Sequence, residues 1–267
     1  MEISGKTVLL TGATGGLGRT IAGALASRGA NLILTSRKEK ELQELANALP
    51  GNGHRYIVAD LAEADAALKL LDEAGDIDIL VANAALPGSG RLDDLEPEHV
   101  QRALRVNLES PMLMARELLA KWRERNSGFL LFIGSLSGRV ASPRTSVYAA
   151  TKFGLRGFTL CLREDLWGTG IGVSIVEPGF VRDAGMYADS GAHDEMPKFV
   201  GTSTPADVAR AVIRAIEHNK PEVLVAPTHV KLASGVAYRN PRLASWLSRG
   251  NASKIADKIT SGQTDKR

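Results

Sequence analysis

Short apolar runs alternate with amphipathic segments along most of this 267-residue chain, and this alternation strongly limits its possible folds. The runs lack a regular apolar–polar pattern, which is typical of strands buried on both faces of a parallel sheet. Strand–helix alternation of this length predicts a doubly wound α/β fold with helices on both faces. The seven predicted strands cover residues 7–11, 31–35, 55–59, 77–82, 128–133, 172–176 and 222–225.

Amphipathic spacing predicts the intervening helices. They cover residues 16–28, 38–49, 64–74, 96–123, 146–166 and 204–218. Thr204 is expected to cap the last of these, because its hydroxyl can accept a backbone hydrogen bond and Pro205 suits the first helical position. Two short amphipathic helices, 230–238 and 243–247, are predicted to form a C-terminal extension.

A glycine-rich turn lies between the first predicted strand and the first helix. Gly12 allows a sharp turn, Gly16 allows the backbone to approach a pyrophosphate at the helix N-terminus, and Gly18 allows close helix–strand packing. The position at a strand–helix junction favours a dinucleotide (Rossmann) site over a merely tight turn. The residues expected to contact the cofactor here are Gly12, Thr14, Gly15, Gly16, Leu17 and Gly18.

The second predicted strand runs into Ser36 and Arg37. Dinucleotide folds often place an acid near this point to bind the ribose 2′-hydroxyl, whereas an Arg can pair with a 2′-phosphate. No acid is present at positions 35 and 36. The sequence therefore predicts a preference for NADP(H), with NAD(H) as the alternative cofactor; a solvated surface role for Arg37 is the competing interpretation.

Tyr148 and Lys152 are four residues apart on a predicted helix, which places them on one face. A nearby ammonium favours the phenolate, so Lys152 is expected to lower the pKa of Tyr148 and prepare it for proton exchange. This spacing also occurs on ordinary helices, so the pair needs further residues to support a catalytic role.

Ser135 follows the fifth predicted strand and precedes Tyr148 by thirteen residues. With these residues the chain resembles the short-chain dehydrogenase/reductase family over roughly residues 3–226. The resemblance implies that Asn107, Ser135, Tyr148 and Lys152 are catalytic. It also implies that Tyr148, Lys152 and six further residues bind the cofactor: Asp60, Leu61, Asn83, Ala84, Pro178 and Gly179.

The resemblance further implies hydride transfer between the cofactor and a carbonyl or secondary alcohol. Tyr148 would act as general acid and base, while Ser135 would bind the reacting oxygen. Lys152 would lower the Tyr pKa and hold the ribose, and Asn107 would position a water for proton supply. Ala85 departs from the family pattern, in which a glycine stands there. Asp183 occupies the region where a Thr is common, and no role is assigned to it.

Residues 1–226 are expected to form one dinucleotide-binding and catalytic domain, with residues 227–267 packed on it as a helical extension that ends in a disordered segment. The long irregular stretch 179–203 carries several apolar side chains: Phe180, Met186, Tyr187, Met196 and Phe199. We therefore expect a mobile lid over an apolar ketone or alcohol. Surplus apolar residues on helices 96–123 and 146–166 predict a homodimer or homotetramer.

Charge and composition narrow the remaining possibilities. The net charge is +3, but residues 220–267 carry a balance of +6, so the bulk of the chain gives no sign of nucleic-acid binding. The basic extension could cover the substrate pocket, add to an oligomer interface or, less favourably, touch an anionic membrane surface. Without a signal peptide or a transmembrane run, a cytoplasmic location is expected.

The sequence offers no metal site, because the five histidines show no ligand spacing and Cys161 is the sole cysteine. Two alternative functions stay open. The chain could be a catalytically silent dinucleotide-binding regulator, although such a protein has no physical need for all four catalytic residues. It could also be an epimerase-like enzyme with the same Tyr/Lys pair, although such enzymes usually carry a longer substrate domain.

Overall fold

Seven parallel strands form a single sheet in a computed structural model, which describes residues 1–184, 201–240 and 242. The spatial order is β3-β2-β1-β4-β5-β6-β7, as expected for a doubly wound sheet. The strands are β1 Thr7–Thr11, β2 Asn31–Ser36, β3 Arg55–Val58, β4 Ile79–Ala82, β5 Gly128–Ile133, β6 Ile171–Pro178 and β7 Glu222–Val225. All seven predicted strands are confirmed, with ends that differ by one or two residues.

Helices cover both faces of this sheet. They are α1 Gly16–Ala26, α2 Glu39–Ala48, α3 Ala66–Ala74, α4 Pro97–Leu104, α5 Ser110–Arg125, α6 Ser146–Asp165, α7 Pro205–Glu217 and α8 Thr228–Arg239. One apolar cluster packs α1, α2 and α7 against the sheet, and a second packs α3, α5 and α6 against the other face. Residues of the central strands are buried on both sides of the sheet, which explains why these strand sequences show no alternation.

The strand order changes direction at β1. Strands β2 and β3 lie on one side of β1, and strands β4 to β7 lie on the other. Val8 of β1 is in register with Leu32 on one side and with Ile79 on the other. A crevice opens at the carboxyl ends of the strands where such a reversal occurs, and ligands of doubly wound folds bind there. The glycine-rich turn after β1 lies at this crevice.

The predicted helix 96–123 is interrupted. A π-helical segment, Arg105–Glu109, joins α4 to α5, and the interruption was not predicted because sequence periodicity does not detect one extra residue per turn. One side chain of the segment and one directly after it contact the chain after β3. Arg105 Nη1 donates to the carbonyl of Ala62 at 2.8 Å, and Ser110 Oγ donates to the carbonyl of Leu61 at 3.2 Å.

The C-terminal part confirms two local predictions. Thr204 and Asp207 form a reciprocal capping box at the start of α7, with Pro205 in the first turn. Helix α8 corresponds to the predicted helix 230–238. The predicted helix 243–247, most of the predicted lid and the predicted disordered end lie outside the described residues.

Candidate active site

The glycine-rich turn leaves β1 in a conformation that requires glycine at two positions. Gly12 has φ +64°, and a Cβ there would lie 2.8 Å from the Cα of Ala84. A Cβ on Gly18 would lie only 2.2 Å from the carbonyl oxygen of Gly12, so any side chain at Gly18 would push α1 away from the turn. The two glycines therefore bring the first turn of α1 close to the end of β1, as predicted.

The N-terminus of α1 is open to an anion. No side chain caps Gly15, and the first turn contains no acidic residue. Gly15 and Gly16 are exposed, so backbone N–H groups with the positive end of the helix dipole face the crevice. This arrangement fits a dinucleotide pyrophosphate, and Thr14 and Leu17 lie beside it in the same turn.

Asn83 braces the turn from the end of β4. Its Nδ2 donates to the carbonyls of Thr11 at 2.9 Å and Gly12 at 3.1 Å, while its backbone N–H donates to Thr11 Oγ1 at 3.0 Å. The N–H of Ala84 donates to the same hydroxyl at 2.9 Å. Ala85 has no positive φ, so the alanine that replaces the family glycine causes no backbone strain.

Ser36, Arg37 and Asp60 lie together at the carboxyl ends of β2 and β3. Arg37 Nη1 is 3.6 Å from Asp60 Oδ2, and 53% of the Arg37 side chain is exposed. Ser36 Oγ accepts from the N–H of Lys38 at 3.1 Å. Leu61 differs from the others, because its side chain is buried in the core and only its backbone can face the crevice.

The structure brings Ser135, Tyr148 and Lys152 together above the end of β5. Lys152 Nζ lies 5.7 Å from the centroid of the Tyr148 ring, which confirms that both side chains share one face of α6. The Ser135 side chain hydrogen-bonds the Tyr148 phenol. Ser135 Oγ also accepts from the N–H of Ser137 at 3.1 Å, and this bond leaves the Ser135 hydroxyl hydrogen for the phenol oxygen of Tyr148.

The pKa prediction for Tyr148 was wrong. Burial raises the pKa of Tyr148 to about 12, although the hydrogen bond from Ser135 acts in the opposite direction. Burial also lowers the pKa of Lys152 to about 8, and its Nζ donates to the carbonyl of Ile133 at 2.9 Å. Desolvation of the phenolate therefore outweighs the hydrogen bond from Ser135, and Tyr148 stays protonated at neutral pH.

Asn107 lies in the π-helical segment, with only 1% of its surface exposed. Its Oδ1 accepts from the N–H of Leu86 at 2.7 Å, and its Nδ2 donates to the carbonyl of Leu86 at 2.9 Å and to Thr151 Oγ1 at 3.3 Å. Thr151 in turn donates to the carbonyl of Tyr148 at 2.7 Å. Asn107 therefore connects the chain after β4 with the helix of Tyr148, whereas its predicted role in proton supply stays a prediction.

Sequence reasoning found Asn83 and Ala84 directly after β4 but missed residues 86–90, farther along the same loop, as part of the site. The carbonyl of Gly88 accepts from the N–H of Tyr148 at 3.3 Å, and the N–H of Gly90 donates to the carbonyl of Arg144 at 2.7 Å. A Cβ on Gly88 would lie 2.9 Å from the Tyr148 nitrogen. The two closely spaced glycines after a buried strand were a detectable signal of this close approach.

Pro178 is the last residue of β6, and Gly179 follows it at the edge of the sheet where β1 and β5 also end. The N–H of Gly179 donates to the carbonyl of Val225 at 2.9 Å. Asp183 has φ +65° and an exposed side chain 3.4 Å from Arg182. The Asp183 carboxylate makes no contact with the other candidate site residues.

The part of the chain that the structure describes contains neither a candidate metal site nor a helix that could span a membrane. No group of three or more His, Cys, Asp or Glu side chains there could hold a metal ion. No helix there is both long enough and apolar enough to cross a bilayer.

Comparisons with known proteins agree with this geometry. The family model described as short chain dehydrogenase matches residues 6–195. Ketoacyl reductase HetN of Nostoc sp. (strain PCC 7120) is 38% identical over 229 residues, covering 84% of this chain and 79% of that protein. The 3-oxoacyl-(acyl-carrier-protein) reductase FabG of Escherichia coli K12 is 34% identical over 184 residues, covering 68% of this chain and 75% of that protein.

A solved short-chain dehydrogenase from Sphingobium yanoikuyae, in complex with NADPH, superposes with a TM-score of 0.77 at 26% identity. The match covers 91% of this chain and 96% of that one. Sequence, fold and site agree, and the chain therefore belongs to the short-chain dehydrogenase/reductase family of NAD(P)-dependent oxidoreductases.

Proposed function

We propose that this protein reduces an apolar ketone with NADPH and that Tyr148 is the proton donor. The observation that carries the proposal is the arrangement of Ser135, Tyr148 and Lys152. The phenol is hydrogen-bonded by Ser135 and shares a helix face with the amine of Lys152. A phenol that is protonated at neutral pH is the form that can donate to a carbonyl oxygen, which favours the reductive direction.

A bound nicotinamide supplies the hydride for such a reduction. Ser135 would donate its hydroxyl hydrogen to the substrate carbonyl oxygen and stabilise the charge that develops there. Tyr148 would pass its proton to the same oxygen. The ammonium of Lys152 would then stabilise the resulting phenolate, while Asn107 and Thr151 hold the start of α6 in place.

Arg37 supports a preference for NADP(H) over NAD(H). Its guanidinium is half-exposed, and its partner Asp60 lies at 3.6 Å, beyond hydrogen-bond distance. A 2′-phosphate carries more charge than this carboxylate and accepts bidentate hydrogen bonds from a guanidinium. The NADPH complex of the related dehydrogenase from Sphingobium yanoikuyae is consistent with this preference.

A 3-oxoacyl thioester is the substrate class that we propose. Two relatives, from Nostoc and Escherichia coli, are named as a ketoacyl reductase and a 3-oxoacyl-(acyl-carrier-protein) reductase. An acyl chain would also suit the apolar residues that the sequence places in the segment 179–203.

A homodimer or homotetramer formed through α5 and α6 is proposed as the assembly. Three large apolar side chains on α4, α5 and α6 are exposed to solvent, namely Leu104, Met112 and Phe153. Burying such residues against a second copy would remove apolar surface from water.

The test is the consumption of NADPH and NADH with a panel of ketones and 3-oxoacyl thioesters. Tyr148→Phe should lower kcat by about 10²- to 10⁴-fold, because it removes the proton donor. It should leave NADPH binding intact, measured by cofactor fluorescence. Tyr56→Phe, in β3 and not among the candidate site residues, is the matched control and should keep full activity.

The outcomes separate the candidate functions. A wild type that binds NADPH but reduces no member of the panel, and that Tyr148→Phe leaves unchanged, would favour the silent regulator. Interconversion of a sugar nucleotide without net cofactor consumption would favour the epimerase.

Cofactor preference has its own variant. Arg37→Ala should raise the KM for NADPH by about 10-fold or more and leave the KM for NADH nearly unchanged, since a charged hydrogen bond contributes about 1.5–3 kcal/mol. Arg28→Ala removes the same charge two residues beyond the C-terminal end of α1, far along that helix from the crevice, and should change neither value. A wild type that prefers NADH would contradict the NADP(H) proposal.

A further inference from the structure

We propose that Glu177, held by Arg139 and Arg156, is a positioning residue that fixes the loop of Ser135 against the helix of Tyr148. The inference rests on the proposed function, because it concerns the placement of the two groups that bind the substrate oxygen. Glu177 lies one residue before Pro178 at the end of β6, and its side chain is fully buried (0% exposed).

Four charged side chains from four segments meet at this point. Arg139 Nε donates to Glu177 Oε2 at 2.6 Å, and Arg156 Nε lies 3.6 Å from Glu177 Oε1. Both arginines also contact Glu222 at the start of β7, and Arg156 Nε donates to Glu222 Oε1 at 2.6 Å. The cluster therefore joins the loop after β5, helix α6 and strands β6 and β7.

The positions of the two arginines connect the cluster to the reacting groups. Arg139 follows Ser135 by four residues, directly after the short 3₁₀ turn Leu136–Gly138. Arg156 follows Lys152 by four residues, which is about one helical turn. A displacement of either arginine would therefore move the Ser135 loop relative to the face of α6 that carries Tyr148.

Packing around two glycines shows how little space this region has. A Cβ on Gly134, the residue before Ser135, would lie 3.0 Å from Glu177 Cγ. A Cβ on Gly138 would lie 2.8 Å from the carbonyl oxygen of Lys152. The Ser135 loop thus rests directly on Glu177 from one side and on α6 from the other, so its position depends on where Glu177 is held.

Electrostatics argue that stability alone does not explain the cluster. Burial raises the pKa of Glu177 to about 7, against the lowering effect of Arg139, and the neighbouring Glu222 carboxylate raises it further. Buried ion pairs often contribute little net stability, because the desolvation of their charges offsets the attraction between them. The burial of these charges costs free energy, and the cluster connects the Ser135 loop with α6. Its role is therefore better explained by the positioning of these two segments than by a gain in stability.

The test compares Glu177→Gln, which keeps the size of the side chain and removes its charge, with Arg163→Met as a matched control. Arg163 also connects α6 to the sheet, because it donates to the carbonyl of Val173 and to Asn219. It lies about two helical turns farther along α6 from Tyr148 than Arg156 does. We expect Glu177→Gln to lower kcat for ketone reduction at least tenfold while the NADPH dissociation constant and the ketone KM change less than threefold. Arg163→Met should keep kcat within twofold even where it lowers Tm as much.

A double variant and a measurement without turnover complete the experiment. Arg139→Gln should lower kcat similarly, and the double variant should fall no further than either single variant, because both act through one contact. Amide hydrogen exchange of the segment 135–141 should accelerate in Glu177→Gln and not in Arg163→Met. Unchanged exchange in this segment, or accelerated exchange with unchanged kcat, would overturn the positioning role. A wild type without ketone reductase activity would instead overturn the proposed function, and the exchange measurement would still decide whether Glu177 orders the loop.

Discussion

Lys152 is buried at a cost to folding, so replacing it should stabilise the protein while removing its activity. Only 2% of its surface is exposed, and burial lowers its pKa from 10.5 to about 8. Each pKa unit corresponds to about 1.4 kcal/mol, so the charged side chain destabilises the folded protein by about 3 kcal/mol at neutral pH. Lys152→Met keeps the length of the side chain and removes the charge.

The expected gain is smaller than this cost, because the variant also loses a hydrogen bond. The carbonyl of Ile133 accepts from the Lys152 ammonium at 2.9 Å, and losing such a charged hydrogen bond costs about 2 kcal/mol. The net increase in the free energy of unfolding should be about 1 kcal/mol, which raises Tm by roughly 2–4 °C for a domain of this size. Urea unfolding followed by the fluorescence of buried Trp122 measures it, and the exposed Lys121→Met on α5 is the matched control.

The pH dependence of this gain identifies its cause. The pKa of Lys152 is lower in the folded than in the unfolded protein, so the unfolded chain binds more protons between about pH 8 and 10.5. The stability of the wild type should therefore rise across that window relative to Lys152→Met, and the difference between them should shrink. A variant no more stable than the wild type at pH 7, or a difference that stays constant up to pH 10.5, would refute the reasoning.

Two further predictions concern cofactor binding and assembly. Gly18→Ala should raise the NADPH dissociation constant at least tenfold, because the added Cβ would lie 2.2 Å from the carbonyl oxygen of Gly12. Fluorescence of the bound cofactor measures this constant. Gly23→Ala is the control on the same helix and should bind NADPH normally, because the space around its Cβ is open. Phe153→Glu should convert the assembly to a monomer in light scattering, because it places a charge in the apolar face of α6, whereas Leu232→Glu on α8 should leave the mass unchanged. Normal NADPH binding by Gly18→Ala, or a wild type that is already monomeric, would contradict these expectations.

The order of strands and helices could be predicted because apolar runs and amphipathic periods are local properties of the sequence. The placement of Tyr148 and Lys152 on one face also followed from helical spacing. The pKa of Tyr148 could not be predicted in the same way. It depends on how completely the surrounding protein excludes water, and sequence spacing gives the neighbouring ammonium but not the burial.

Contacts between segments that are distant in the sequence could not be predicted either. Thr151 was overlooked because its partners are the amide of Asn107, 44 residues away, and a backbone carbonyl of its own helix. The cluster around Glu177 joins residues up to 83 positions apart, from Arg139 to Glu222. Motif spacing detects groups that face one ligand, whereas such supporting contacts become visible only when the packing of the elements is known.

The π-helical segment Arg105–Glu109 makes this part of the chain sensitive to length more than to composition. One extra residue is accommodated there, and a regular α-helix advances about 100° per residue. Deleting a residue of the segment other than Asn107 would restore regular winding and rotate Asn107 away from either Leu86 or Thr151. Homologues and engineered variants should therefore keep both Asn107 and the number of residues in the segment.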